Sequence, residues 1–190
     1  MRHYLTIKEK HCAHIAELLT EFERSQEIFI KDHKWRFPGK LPDAWKMMEV
    51  ASFGILSKFY KNLHHQLPEK SHISNEMGLT LSSELSSWLE AIIYVRNIIA
   101  HHSRLWSKNM VKVPTVELVN PSDPWLARPL LEVQNKKAFL IITCMVYICN
   151  HLNKEQSTKE QILRLFSNYP DIPIYKLGFL NSWETQPVWA

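Results

Sequence analysis

Apolar residues recur at intervals of three and four positions along several stretches of this chain, which is the spacing of one face of an α-helix. Only four glycines interrupt the 190 residues, so long helices are favoured. The pattern predicts five main helices, with a shorter helix or turn at 68–78, and an all-α helical bundle as the fold class. Four of the predicted helices cover about residues 6–33, 43–63, 134–153 and 158–170, and the remaining one begins at about residue 85.

Capping signals and helix breakers place the predicted helix ends. Thr6 and Glu9 have the spacing of a capping box and predict that the first helix begins there, and the proline- and glycine-containing sequence KWRFPGKLP ends it. Asp43 is the predicted N-cap of the second helix. Both helices carry apolar side chains that we expect in the core. These are Ile15, Leu18, Leu19, Phe22 and Phe29 in the first helix and Trp45, Met48, Phe53, Leu56 and Tyr60 in the second.

A long segment without clear periodicity, residues 107–133, precedes the last two predicted helices and contains four prolines. It is long for a plain loop, so we expect it to pack on the surface of the domain. The C-terminal residues 171–190 are apolar and aromatic enough to dock onto the bundle as well. The length is that of a single domain over residues 1–190.

Charge and cysteine content restrict the class of protein. The formal net charge of +4 is a mild basic bias that allows an anionic partner such as RNA. Three cysteines lie within apolar helical patterns, which indicates reduced thiols and a cytoplasmic location. The N-terminus lacks the apolar core of a signal peptide. The most apolar run, residues 138–150, is too short to cross a bilayer, so we expect a fully buried helix there and no membrane association.

The third main helix ends in a dense polar sequence, VRNIIAHHSRLW, at residues 95–106. Its apolar face carries Leu85, Trp88, Leu89, Ile92, Val95 and Ile99. Arg96 is expected on the side of this face, whereas Asn97, His101 and Arg104 share the opposite side. About 140° separates Arg96 from His101 on a straight helix. The two side chains therefore converge only if the helix kinks or ends near Ala100, or if two protomers bring their copies together.

The cluster has a purely structural interpretation as well. Cations near a helix C-terminus are stabilised by the helix dipole and can satisfy its last carbonyls. Metal binding fits less well, because the adjacent His101 and His102 cannot share one face of a helix. His11 and His14 have a spacing that allows ligation but lack a closing partner. We therefore expect no metal and no cofactor.

Three blocks of the sequence resemble the Abi-like (abortive infection) proteins of bacteria. RNIIAHHSRLW is similar to that family's signature, which reads roughly R-N-x-x-A-H-H-x-R-x-W. Residues 41–63 resemble a second family block, with its opening proline and tryptophan, S-F-G, and a K-x-Y-x-N-L ending. LGFLNSWETQPVW, at 177–189, resembles the closing block. The resemblance covers about residues 27–190, and the family's usual further N-terminal region is expected to be absent.

The resemblance implies membership of the HEPN superfamily of helical bundles, many of whose members are metal-independent endoribonucleases. Their motif of an arginine, a polar residue and a histidine corresponds here to Arg96, Asn97 and His101, with His102 as the alternative histidine. In such enzymes the site is commonly shared across a homodimer. RNA, and a neighbouring protein such as an antitoxin, are the partners that this resemblance implies, with phage defence or toxicity as the biological role.

These residue types suit RNA cleavage because RNA carries its own nucleophile, the 2′-hydroxyl. Histidine supplies an acid or base near neutral pH, and arginine stabilises the charge that builds on the phosphate. Arg104 is a candidate for a neighbouring phosphate, and Trp106 either stacks a base or anchors the end of the helix. The alternative function is a non-catalytic RNA-binding or protein-binding helical module.

Overall fold

A computed structural model describes residues 2–116, 125–126, 132–152 and 158–190. All regular secondary structure in these ranges is helical, which confirms the all-α class. The chain divides into two compact units, Met1–His64 and His65–Ala190. The helices are α1 Arg2–Arg24, α2 Ile28–Arg36, α3 Ala44–Val50, α4 Phe53–Asn62, α5 Pro68–Glu76, α6 Ser82–Ala100, α7 Glu132–Asn135, α8 Ala138–Leu152 and α9 Thr158–Asn168, followed by 3-10 helices at Ile174–Leu177 and Trp183–Thr185.

The first predicted helix is two helices in the structure. α1 begins at Arg2, so Thr6 lies inside it and the predicted capping box is wrong. The helix stops at Arg24, where the Ser25 side chain accepts a hydrogen bond from the Glu27 backbone N–H at 3.3 Å. A serine side chain that bonds the nearby backbone competes with the helical hydrogen bonds. α2 then starts after this turn.

The second predicted helix is also interrupted, at Ala51 and Ser52. Ser52 caps α4, because its hydroxyl accepts a hydrogen bond from the Ile55 N–H at 3.4 Å. The Glu21 carboxylate of α1 accepts one from the Ser52 N–H at 2.5 Å. Asp43 precedes α3 as predicted, but its side chain makes no capping hydrogen bond there.

Unit Met1–His64 has its core where α1 packs against α3 and α4. The buried side chains of this core are Leu18, Phe22, Ile30, Met47 and Ile55. Several predicted core residues are instead exposed, among them Trp45 at 62%, Met48 at 42% and Phe53 at 41%. In α3 the buried residue is Met47 instead of Trp45 or Met48. The interruption at Ser52 means that one helical period no longer relates the faces of α3 and α4.

Unit His65–Ala190 is built around α8, whose residues from Ala138 to Ile148 are almost all buried. This confirms the prediction of a buried helix. α6 packs against α8 and α5, and α9 packs against α8. The C-terminal residues dock as predicted, because Phe179, Trp183 and Trp189 are buried. The Trp189 indole N–H donates to the Thr143 hydroxyl of α8 at 3.1 Å.

The segment predicted to be irregular is described at residues 107–116, 125–126 and 132–133. Two of its described residues contact α6. The Trp88 indole N–H donates to the Thr115 carbonyl at 2.8 Å, and the centroid of the Trp125 ring lies 4.9 Å from that of Trp88. Trp125 is buried, so this residue enters the core instead of covering the surface. Residues 117–124 and 127–131 lie outside the described part. Among the described helices, none combines the length and the apolar character needed to cross a membrane.

Candidate functional site

The polar sequence at 95–106 contains the C-terminal end of α6, which lies at Ala100. The chain then reverses: the His102 N–H donates to the Ile99 carbonyl at 2.9 Å, and the Ser103 N–H donates to the Ile98 carbonyl at 2.9 Å. These two bonds are those of a Schellman motif, in which the residue after the C-cap is left-handed. Arg96 and His101 could converge only through a helix kink or end near Ala100 or through a second protomer. The helix does end at Ala100.

His102 holds the left-handed position of this motif, with φ +52°. Glycine is the usual residue there because it has no Cβ to clash, whereas an L-residue suffers a steric cost. The His102 side chain is exposed. The geometry therefore gives His102 a backbone role at the turn. His101, the C-cap with φ −91°, keeps an ordinary right-handed backbone.

The first half of α6 buries Leu85, Trp88 and Leu89 as predicted, but the buried face shifts in its second half. Ala91, Val95 and Ile98 are buried, whereas Ile99 is 56% exposed. The small Ala91 packs with Val95 against Ala138 and Ile141 of α8, and a pattern read from large apolar residues overlooks this contact. Arg96 is exposed as a consequence, so the expectation that it lies on the buried side is wrong.

Arg96 and Asn97 are brought together on the exposed side of α6. The Arg96 Nη1 donates a hydrogen bond to the Asn97 Oδ1 at 3.2 Å, which directs the guanidinium along the helix surface. The i, i+4 spacing of Asn97 and His101 would allow a side-chain hydrogen bond. The structure joins them through the main chain instead, with the His101 N–H donating to the Asn97 carbonyl at 3.0 Å.

The other polar side chains of the sequence face solvent. His101, His102 and Arg104 are exposed, and within the described ranges no hydrogen bond or ion pair engages their side chains. The structural interpretation requires these side chains to bond the last carbonyls of the helix. None of them does so among the described residues. Residues 91–116 contain four Lys or Arg and no Asp or Glu. Of these cations, Lys112 is paired with Glu90 at 2.6 Å.

Trp106 is half-buried and lines an apolar groove of about 260 Å³. The other lining residues come from α9 and the chain that follows it: Leu165, Phe166, Tyr169, Ile172, Ile174 and Leu177. The sequence pattern predicts a helix at 158–170 but does not identify these residues as part of a site. The available signal was the apolar side of that helix, which has no fully buried residue.

Other chemistry has little support in the described residues. No three His, Cys, Asp or Glu side chains within them group as metal ligands. His11 and His14 instead stand edge-on to the Phe59 ring, at 6.2 and 6.0 Å between centroids. Burial raises the pKa of the Cys144 thiol, and the charge of Glu84 raises it further. A thiol with a raised pKa is a poor nucleophile, so Cys144 is a core residue.

Comparison with known proteins identifies one family. The sequence model of the family described as "Abi-like protein" matches residues 2–107, more than half of the chain. The match includes α1, which precedes the three blocks of sequence resemblance, and it ends just after Trp106. The closing block at 177–189 lies beyond it. The comparison with curated proteins found no significant match, and neither did the comparison with solved structures.

Proposed function

Since the chain belongs to the Abi-like protein family, we propose that it is a metal-independent endoribonuclease of the HEPN type, and that it acts in the cytoplasm in abortive infection or as a toxin. Arg96, Asn97 and His101 are the proposed catalytic residues. The observation that carries the proposal is their exposure: a hydrogen-bonded arginine and asparagine precede an exposed histidine at the helix end, and none of these three side chains is buried in the fold.

Each residue has a defined task in the proposed reaction. The His101 imidazole removes the proton of the 2′-hydroxyl, whose oxygen attacks the adjacent phosphorus. The Arg96 guanidinium neutralises the charge that accumulates on the phosphoryl oxygens, and Asn97 orients it through the 3.2 Å hydrogen bond. The 5′-oxygen leaves and takes up a proton. The products are a 2′,3′-cyclic phosphate and a 5′-hydroxyl, and no metal is needed.

The proposed active form is a homodimer with a composite site. A second copy places its His101 beside the Arg96 and Asn97 of the first, so each dimer holds two such sites. The leaving 5′-oxygen takes up the proton that His101 removed from the 2′-hydroxyl. Arg104 and His102 are then auxiliary contacts to neighbouring phosphates. A protein partner that covers the same surface, such as an antitoxin, would suppress the activity.

The test is cleavage of RNA by the purified protein in the presence of EDTA. We expect wild-type protein to generate 2′,3′-cyclic phosphate ends, and His101→Ala and Arg96→Ala each to lower the rate by at least about 100-fold. Circular dichroism should show all variants folded, because the replaced side chains are exposed. Cleavage that survives Arg96→Ala, His101→Ala and His102→Ala would show the proposal to be wrong.

A second candidate is an RNA-binding module without catalysis. It is favoured by one observation: within the described residues, no side chain holds the His101 imidazole in place, whereas catalytic histidines are commonly oriented by a hydrogen bond. Under this alternative, the wild-type protein binds RNA but produces no cyclic phosphate. Arg96→Ala weakens RNA binding. His101→Ala and wild type both show only background cleavage.

A further inference from the structure

The groove beside Trp106 has walls suited to a flat apolar group. Trp106, Phe166 and Tyr169 supply aromatic rings, and the remaining lining residues are aliphatic. Part of this surface faces solvent, because Tyr169 is 57% and Leu165 is 53% exposed. An aromatic group could therefore enter the groove with its faces against the walls and its edges in water. The only polar side-chain groups of the lining residues are the Tyr169 hydroxyl and the Trp106 N–H.

The chain next to the groove is basic. Arg104 precedes Trp106 by two positions, so their Cα atoms lie within about 7 Å. Arg104 is exposed and has no ion pair among the described residues. An apolar side chain of a protein partner would fill the groove without using this cation. A nucleotide uses both features, because it combines a flat base with a negative phosphate.

The wall that carries Trp106 is fixed by hydrogen bonds. The Lys137 Nζ donates to the Ser107 carbonyl at 2.7 Å, and the Met110 N–H donates to the Lys136 carbonyl at 2.8 Å. Ser107 itself has a left-handed backbone with φ +60°. These contacts hold the segment after the helix against the start of α8, so the groove needs little rearrangement to bind a ligand.

We propose that this groove binds one unpaired base of an RNA strand, with the adjacent phosphate on Arg104. The proposal rests on RNA as the substrate of the proposed function and adds a base subsite next to the cleavage site. Stacking uses the faces of a base, and the groove offers no hydrogen-bonding side chain apart from the Tyr169 hydroxyl and the Trp106 N–H. Binding should thus tolerate any base and favour purines, whose faces are larger.

The test measures binding of short 2′-O-methyl RNA oligonucleotides by fluorescence anisotropy, since these cannot be cleaved by 2′-hydroxyl attack. An adenine oligonucleotide is compared with an oligonucleotide of the same length that is abasic at every position. Tyr169→Ala removes an exposed ring of the groove, and Tyr175→Ala is the matched control, because Tyr175 is 59% exposed and lies outside the lining residues. Tyr169→Phe keeps the ring.

We expect Tyr169→Ala to weaken binding of the adenine oligonucleotide about 5- to 150-fold and to leave binding of the abasic oligonucleotide unchanged. Tyr169→Phe and Tyr175→Ala should bind like wild type. Equal weakening for both oligonucleotides, or no effect of Tyr169→Ala, would overturn the subsite. The same holds if the oligonucleotides do not bind at all.

The cleavage assay separates this result from the proposed function. If binding depends on the base and on Tyr169 but unmodified RNA is not cleaved, the base subsite is supported and the nuclease proposal is wrong. If cleavage depends on His101 but binding does not change in Tyr169→Ala, the nuclease proposal is supported and the base subsite is wrong.

Discussion

The left-handed His102 provides a way to tell the two adjacent histidines apart. A glycine at this position relieves a steric cost of roughly 1 kcal/mol, partly offset by the entropy that glycine loses on folding. We expect His102→Gly to raise the melting temperature by about 1–3 °C. His101→Gly should lower it, because His101 has a right-handed backbone that gains nothing from glycine. Thermal unfolding followed by circular dichroism measures both.

The same two variants bear on catalysis. If His101 is the catalytic histidine, His102→Gly should lower the cleavage rate only about severalfold, through its lost phosphate contact, whereas His101→Gly should be inactive. Loss of cleavage in a stabilised His102→Gly protein would instead assign the reaction to His102. A lower melting temperature for His102→Gly would mean that the left-handed backbone of His102 carries no steric cost.

At the scale of the helices, α5 and α6 end in the same motif with different residues. After α5 the left-handed position is Gly78, with φ +81°, and the Leu79 N–H donates to the Ser74 carbonyl at 2.9 Å. A Cβ on Gly78 would lie 2.5 Å from the Nε2 of His151. Glycine is therefore required after α5 for two reasons, the left-handed backbone and the neighbouring ring. After α6 the histidine side chain is exposed, so only the backbone conformation is costly.

Gly78→Ala should thus lower the free energy of unfolding by at least about 2 kcal/mol, as measured by urea denaturation. The His151→Ala background removes the ring and should leave only the backbone cost of roughly 1 kcal/mol. The difference between the two backgrounds is the steric contribution of His151. An equal loss in both backgrounds would mean that the ring moves aside at no cost.

The sequence pattern predicted some helices well and others badly, for a physical reason. The burial of α8 follows from a local signal, its long run of apolar residues. The polar sequence after Val95 allowed α6 to end or kink near Ala100 but did not decide it. The break before α4 combines the local Ser52 cap with a hydrogen bond from the Ser52 N–H to the Glu21 carboxylate, 31 positions earlier in the sequence. The shifted face of α6 depends on how Ala91 packs against α8. The break before α4 and the shifted face of α6 both involve contacts between residues that are distant in sequence. The apolar periodicity of one segment cannot reveal such contacts.

Some residues of the candidate site could likewise be predicted from the sequence, and others could not. Arg96, Asn97 and His101 were identified from adjacent positions and a family resemblance. The orientation of Arg96 followed from the packing of α6, which the periodicity misjudged. The groove joins Trp106 to residues of α9 about sixty positions later in the sequence, so only the fold could reveal it.

At the scale of the whole molecule, the composite site predicts complementation between inactive proteins. A dimer of one Arg96→Ala subunit and one His101→Ala subunit would contain one site with both functional residues. We expect an equimolar mixture to recover roughly a quarter of the wild-type rate, since half of the dimers are mixed and each has one intact site. No recovery in the mixture, together with a monomeric mass by light scattering, would contradict the shared site.

The absence of acidic residues from 91–116 has a consequence for the conditions under which RNA would bind. Each phosphate that Arg96 or Arg104 neutralises releases a counterion from the strand, so the binding constant falls as salt is added. With two such contacts, the logarithm of the binding constant should fall with the logarithm of salt concentration with a slope of about −1.4. Arg104→Ala should reduce that slope by about 0.7. Ionic strength would then set how tightly the protein holds RNA, independently of the base that it holds.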